Sequence, residues 1–242
     1  MRLAPVTFGL IGINVAIYLA MLATAGSAHR LAFTAGQVTE WGAIVTSRVQ
    51  DGEWWRLVTA MFLHGSIAHI AFNMVALYQI GAYLEPWYGS RRYLAAYLIC
   101  GVASSIVSAW WYRGSEMPQV GASGAIMALI GAGVVSAWRI GPRGRTFRNA
   151  LIVWGLVTVV NGFAATANNA AHIGGFAAGA LGVWLFGHRG GEAVAQLARD
   201  PVPPDDRPGA ITCPRCHAGN ARGSRFCGSC GAALATNVTP SG

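Results

Sequence analysis

Six apolar runs restrict this chain more than anything else in it, at about 6–22, 67–84, 93–111, 121–138, 150–165 and 170–186. A helix needs about 20 predominantly apolar residues to cross the hydrocarbon core of a bilayer, with a range of roughly 17–25. The runs therefore predict an all-α polytopic membrane protein with six transmembrane helices. Only 11% of the residues are charged, against roughly 25% in ordinary soluble domains. Arg2 before the first run and Ala23-Thr24-Ala25 after it also fit a signal peptide, but the run is long for that role and is read as a span. A loop rich in Trp and Gly, 29–63, joins the first two runs, and a short polar turn at Asn168 and Asn169 separates the last two.

The arginines orient the bundle. All 17 basic residues are Arg, and a pI near 9.8 would suit nucleic acid, yet their placement follows the loops. Arg2, Arg91, Arg92, Arg139, Arg143, Arg145, Arg148 and Arg189 fall on one side. Arg30, Arg48, Arg56 and Arg113 fall on the other, offset by Glu40, Asp51, Glu53 and Glu116. The positive-inside rule puts both termini in the cytoplasm, and no nucleic-acid partner is expected. Spans two, four and six then all run from outside to inside. His64, His69 and Asn73 open span two, Ser123 opens span four and His172 opens span six. The polar residues of chemical interest thus share one depth near the outer face.

Strongly polar side chains are costly inside a membrane and usually face the protein interior, where they act. Ser123 alone reads as packing between close helices, and His172 alone as a satisfied interior histidine. Together they read as a nucleophile and its base. No acidic third member is available, because Glu85 falls at the cytoplasmic end, so the expected arrangement is a dyad. Ser123 at a helix start also offers its own backbone N–H to a developing oxyanion. His69 and Asn73, four residues apart, share a helical face and can donate from their side chains. Gly121 and Gly124 allow backbone approach around the serine. Gly175 and Gly179 form a small-residue strip past His172, which predicts close contact between spans four and six.

These residues carry a resemblance. "EWWR" (53–56), "HGSIAHIAFNM" (64–74), "EPWYGS" (85–90), "GASGAIMALIGA" (121–132) and "AHIGGFAAG" (171–179) occur in this order over about 50–187. The sequence resembles the rhomboid family of intramembrane serine proteases. The resemblance implies a six-helix core with a water-accessible cavity open to the outside. It implies Ser123 as nucleophile and His172 as general base and then acid, with the Ser123 amide, His69 and Asn73 at the oxyanion. His64 and the Trp55–Arg56 pair take supporting roles. Catalysis needs no cofactor, and the implied substrates are transmembrane proteins cut in or near the outer part of the bilayer. Several members of the family carry an aromatic residue one turn after the serine, where this chain has Met127, a soft side chain that can still contact an imidazole. A proteolytically inactive membrane chaperone or binding protein on the same scaffold is the rival reading, and retention of both Ser123 and His172 argues against it. A transporter would show paired inverted repeats, and no internal duplication is visible. A bacterial plasma membrane follows from the resemblance and the arginine-rich composition.

The composition shifts after residue 186. The expected organisation is a membrane domain at 1–190, a Pro- and Asp-rich linker at 191–209, a zinc ribbon at 210–234 and a flexible tail at 235–242. Cys213, Cys216, Cys227 and Cys230 form two Cys-x2-Cys knuckles that can enclose one structural Zn2+. A pair of disulfides is the alternative, disfavoured in the reducing cytoplasm. His217 is read as a loop residue and Cys100 as inert core. A cytoplasmic protein is the default partner for the ribbon.

Overall fold

The computed structural model describes residues 4–25, 32–164, 168–186, 211–215, 217, 219–220, 223–227 and 232–234. Six long helices follow the six apolar runs: α1 (Pro5–Thr24), α5 (Ile67–Tyr88), α6 (Ser90–Trp111), α7 (Ser123–Arg139), α8 (Arg145–Ala164) and α9 (Asn169–Phe186). The loop after α1 carries three short helices, α2 (Ala35–Glu40), α3 (Thr46–Gln50) and α4 (Arg56–Thr59). Among the described residues, α1, α5 and α6 are long and apolar enough to cross a membrane, and α7 is a shorter apolar helix. Large apolar side chains point outward from the bundle, among them Leu19, Ile99, Ile106, Leu156, Val160 and Leu181. Such a surface is unfavourable in water and suits lipid.

Local chemistry sets the helix ends. Ser66 caps α5 by accepting the His69 N–H at 3.2 Å, and Gly89 at φ +75° ends α5 and opens α6. Asn168 caps α9 by accepting the Ala171 N–H at 2.9 Å. Helix α1 begins at Pro5, and its unpaired N–H groups meet a carboxylate from another helix. Glu85 Oε1 accepts from Val6 N–H at 3.0 Å, while Oε2 accepts from Thr7 N–H and the Thr7 hydroxyl at 2.8 Å each. The Ser90 hydroxyl adds a fourth bond at 2.6 Å. Glu85 is therefore a buried cap that pins α1, α5 and the start of α6 together, its charge stabilised by the positive end of the α1 dipole. It lies 16 positions along α5 from His69, about 24 Å at the helical rise.

Helix α7 forms the centre, with residues 124–133 all buried. Its contact with α9 is backbone on backbone. A Cβ at Gly131 would overlap the Phe176 carbonyl oxygen, one at Gly175 the Gly124 oxygen, and one at Gly179 the Ala128 oxygen. At the far end of this seam, Arg139 donates to the Val183 and Trp184 carbonyls at 3.0 and 3.2 Å, closing the last turn of α9.

Helix α7 has 17 residues against 22 in α5 and in α6, so it is about 8 Å shorter. An extended segment makes up the difference and carries the chain to Ser123. Gln119 exchanges backbone hydrogen bonds with Ile44 at 2.8 and 3.0 Å, and the Gly121 N–H donates to Ala60 O at 2.9 Å. The loop that holds this segment is itself stapled by Arg56. That guanidinium pairs with Glu53 at 2.7 Å and donates to the Thr39 and Ala43 carbonyls at 2.7 and 3.0 Å. It also stacks 4.5 Å from the centre of the Trp55 ring. Trp55 in turn packs on Gly42, where a Cβ would lie 2.6 Å from the indole.

In the tail, β1 (Ile211–Thr212) and β2 (Gly219–Asn220) pair antiparallel, Ile211 opposite Asn220 and Thr212 opposite Gly219. A further bridge joins Phe226 and Ala233. The expected linker at 191–209 and tail at 235–242 lie outside the described residues.

Candidate active site

The first residue of α7 and the first turn of α9 meet side by side. Ser123 Oγ lies 2.9 Å from His172 Nε2, and the imidazole is buried. The glycine seam brings α7 and α9 into backbone contact, close enough for so short a side chain as serine to reach across. The sequence expectation that spans four and six pack closely agrees with this geometry.

Gly121, at φ +131°, turns the chain into α7 in a backbone conformation that L side chains rarely adopt. Its missing side chain matters as much as its torsion. A Cβ there would lie 2.8 Å from His69 Nε2 and 3.7 Å from Ser123 Oγ. His69 therefore faces the serine across a bare α-carbon. Gly124 serves the neighbouring contact, where a Cβ would overlap Ser104 Oγ. That hydroxyl donates to Ala171 O at 2.7 Å, tying α6 to the residue before His172.

Asn73 is 1% exposed, and its Nδ2 donates to the His69 carbonyl at 2.9 Å. An amide nitrogen carries two hydrogens, so one remains for another acceptor. His64 is fully buried and meets the His69 ring edge-on at 5.0 Å between centroids. Burial, with a smaller contribution from His69, pushes the His64 imidazole down to about 3, so it is neutral packing around its neighbour. Met127 is buried in α7 with its methyl near Gly155 of α8, 3.7 Å from where a Cβ would stand.

A small cleft opens beside Ser123. Its polar lining comes from Ser104, Ser105, Ser108, Gln119 and Asn168. Gln119 Oε1 accepts from the Ser108 hydroxyl and from Asn168 Nδ2, the latter at 2.6 Å. None of these polar residues was singled out from sequence except Asn168, which was read as part of a turn.

One residue beside the imidazole was also missed. Asn169 Oδ1 lies 3.1 Å from His172 Nδ1. The sequence predicts a turn there, whereas Asn169 is the first residue of α9. The signal that finds it is spacing, because i and i+3 share a helical face.

In the tail, Cys213 and Cys227 are buried in one small cluster with Leu234. Cys216 and Cys230 lie outside the described residues.

The Rhomboid domain family matches residues 51–189. The chain is 41% identical over 170 residues to Rhomboid protease GluP of Bacillus subtilis (strain 168), covering 65% of this chain and 32% of that protein. It is 38% identical over 141 residues to RHOMBOID-like protein 5 of Arabidopsis thaliana, covering 57% and 46% respectively. To Rhomboid protease AarA of Providencia stuartii it is 32% identical over 199 residues, covering 72% of this chain and 70% of that protein. The chain thus spans about a third of the first of these relatives and about half of the second.

Proposed function

The chain belongs to the rhomboid family, and on that premise we propose that it is an intramembrane serine endopeptidase acting through a Ser123–His172 dyad. The observation that carries this reading is the 2.9 Å contact between Ser123 Oγ and His172 Nε2. His172 takes the hydroxyl proton through Nε2 as Ser123 Oγ attacks the substrate carbonyl carbon. The oxyanion that forms is held by the Ser123 backbone N–H, by His69 and by the second hydrogen of Asn73 Nδ2. His172 then passes its proton to the departing amine. Water attacks the acyl-enzyme with His172 again as base, and the polar cleft beside Ser123 suits that water. Trp55, Arg56 and His64 support the site by fixing the loop and the His69 ring, not by chemistry.

Six helices span the bilayer in this reading, both termini are cytoplasmic, and the site opens outward near the outer surface of a bacterial plasma membrane. Arginine placement and the shared depth of Ser123, His69 and His172 support that orientation. The substrates are transmembrane proteins whose helix unwinds locally, because an intact helix shields its carbonyls from attack. An inactive chaperone on this scaffold would have no need for a hydroxyl and imidazole in bonding contact.

A charged, membrane-impermeant fluorophosphonate tests chemistry and orientation together. Added to intact right-side-out vesicles, it is expected to label the wild-type chain at Ser123 and to leave Ser123→Ala unlabelled. No labelling even after the membrane is opened would remove the enzyme reading, and labelling only after opening would reverse the orientation.

The ribbon at 210–234 is proposed to hold one structural Zn2+ through Cys213, Cys216, Cys227 and Cys230, and a cytoplasmic protein is the partner it would meet. The described half of the ligand set fits: Cys213 and Cys227 are buried together. His217, at φ +58°, donates its N–H to the Cys213 carbonyl at 2.9 Å, folding the first knuckle back on itself. Zinc would supply the folding energy this small unit lacks. Metal analysis of the purified full-length chain under reducing conditions should find about one zinc per chain. A zinc-free chain with the same far-UV and near-UV spectra would refute the module.

A further inference from the structure

We infer that Asn169 is the positioning residue of His172, and that Gly162 of α8 provides the socket that holds it; this rests on the protease reading above. A neutral imidazole has one N–H and one lone pair on its two ring nitrogens. The base must present its lone pair at Nε2 toward the Ser123 hydroxyl, so its proton must reside on Nδ1. Asn169 Oδ1, 3.1 Å from Nδ1, accepts that proton's hydrogen bond and so selects the productive tautomer while fixing the ring plane. The same logic gives a third residue its purpose in other serine-type hydrolases, where a wrong tautomer with intact geometry is very costly.

An amide suits this position. It accepts the Nδ1 hydrogen bond and orients the ring without adding a charge beside the imidazole. A second, independent feature seats it. A Cβ at Gly162 would overlap Asn169 Oδ1 and stand 2.9 Å from its Cγ. Helix α8 is therefore cut away to a bare backbone where the amide lies. The adjacent asparagine does a different job, since Asn168 Oδ1 caps α9 through the Ala171 N–H. The pair at 168–169 thus divides helix capping and imidazole positioning between neighbours.

Full-length variants reconstituted in liposomes with a transmembrane substrate test the assignment. Asn169→Ala and Asn169→Leu are each expected to lower kcat roughly 10- to 100-fold, with KM held within about twofold. Asn169→Asp restores an acceptor in place and is expected to recover most of the lost kcat, which a purely structural role would not do. Gly162→Ala should lower kcat too, and in combination with Asn169→Ala should add nothing, because both remove one interaction. Thermal unfolding of each variant separates these effects from misfolding, and the smaller Ala side chain keeps the comparison available if Leu does not fit. Wild-type kcat in the folded Asn169→Ala chain, failure of Asp to rescue, or a fully multiplicative Gly162→Ala effect would overturn the inference and leave the protease reading intact. Loss of Ser123-dependent cleavage in the wild type itself would overturn both.

Discussion

Ser123→Ala and His172→Ala should each reduce substrate cleavage roughly 10⁴-fold or more, and the double variant should be no slower than either alone. In the proposed dyad the hydroxyl and the imidazole act as one unit, so removing either would remove the same transition-state interaction, and such effects are grossly non-additive. The 2.9 Å contact is the physical basis of that coupling. His69→Ala supplies the contrast. It leaves nucleophile and base in place and removes one oxyanion donor, an effect of about 10²–10³ in kcat. The comparison is made by single-turnover cleavage of a transmembrane substrate in liposomes, where slow residual rates remain measurable. Independent, multiplicative losses for Ser123 and His172 would mean that they do not form a dyad. A loss at His69 as large as that at Ser123 would mean that His69, not His172, is the base.

Much of this architecture is legible from residue order because a bilayer demands long apolar runs, and the helix ends differ most where a charge interrupts a run. The second run reads as ending at Leu84, since Glu85 and Pro86 look like a terminus, yet α5 continues to Tyr88. The carboxylate is tolerated there because the start of α1 neutralises it, a partnership 78 residues away in the chain that no local pattern reveals. The fifth run reads as starting near 150, whereas α8 begins at Arg145. Arginines lower the hydropathy of that first turn without breaking its helix. The short helices α2, α3 and α4 were not read, although Thr34 and Gln37 form a capping box at the start of α2. The Arg56 bonds to the Thr39 and Ala43 carbonyls, 17 and 13 residues away, have no local pattern to reveal them. Within the site, Ser123, His172 and the glycines were legible from residue type and parity. Asn169 was not, since an Asn-Asn pair between two spans reads first as a turn, and only the helix start at 169 places its amide under the imidazole.

The glycine seam makes the second large expectation. Gly179→Ala should lower the thermal unfolding midpoint and suppress cleavage further than stability alone explains, whereas Gly182→Ala, one turn along the same helix, should do neither. At Gly179 the added methyl overlaps the Ala128 carbonyl oxygen, and at Gly175 it overlaps the Gly124 oxygen. A backbone carbonyl inside a helix cannot rotate away, so α7 and α9 must separate, at a cost of about 1–3 kcal/mol or more by overpacking. At Gly182 the nearest atom is Cys100 Sγ at 3.9 Å, an ordinary contact, and alanine there gains up to about 1 kcal/mol in helix propensity. Activity should fail first because His172 rides on the helix that is displaced. An error of about 1 Å in a reacting pair costs on the order of 10²-fold, while a hydrogen bond of 2.9 Å has only a few tenths of an ångström to lose before it lapses. Unfolding midpoints and cleavage rates for Gly175→Ala, Gly179→Ala and Gly182→Ala, measured in one detergent, decide the matter. If Gly179→Ala cleaves at the wild-type rate, the approach of α7 to α9 does not set the Ser123–His172 distance, and the dyad must be held from the loop side, through Gly121 and the Gln119–Ile44 pairing.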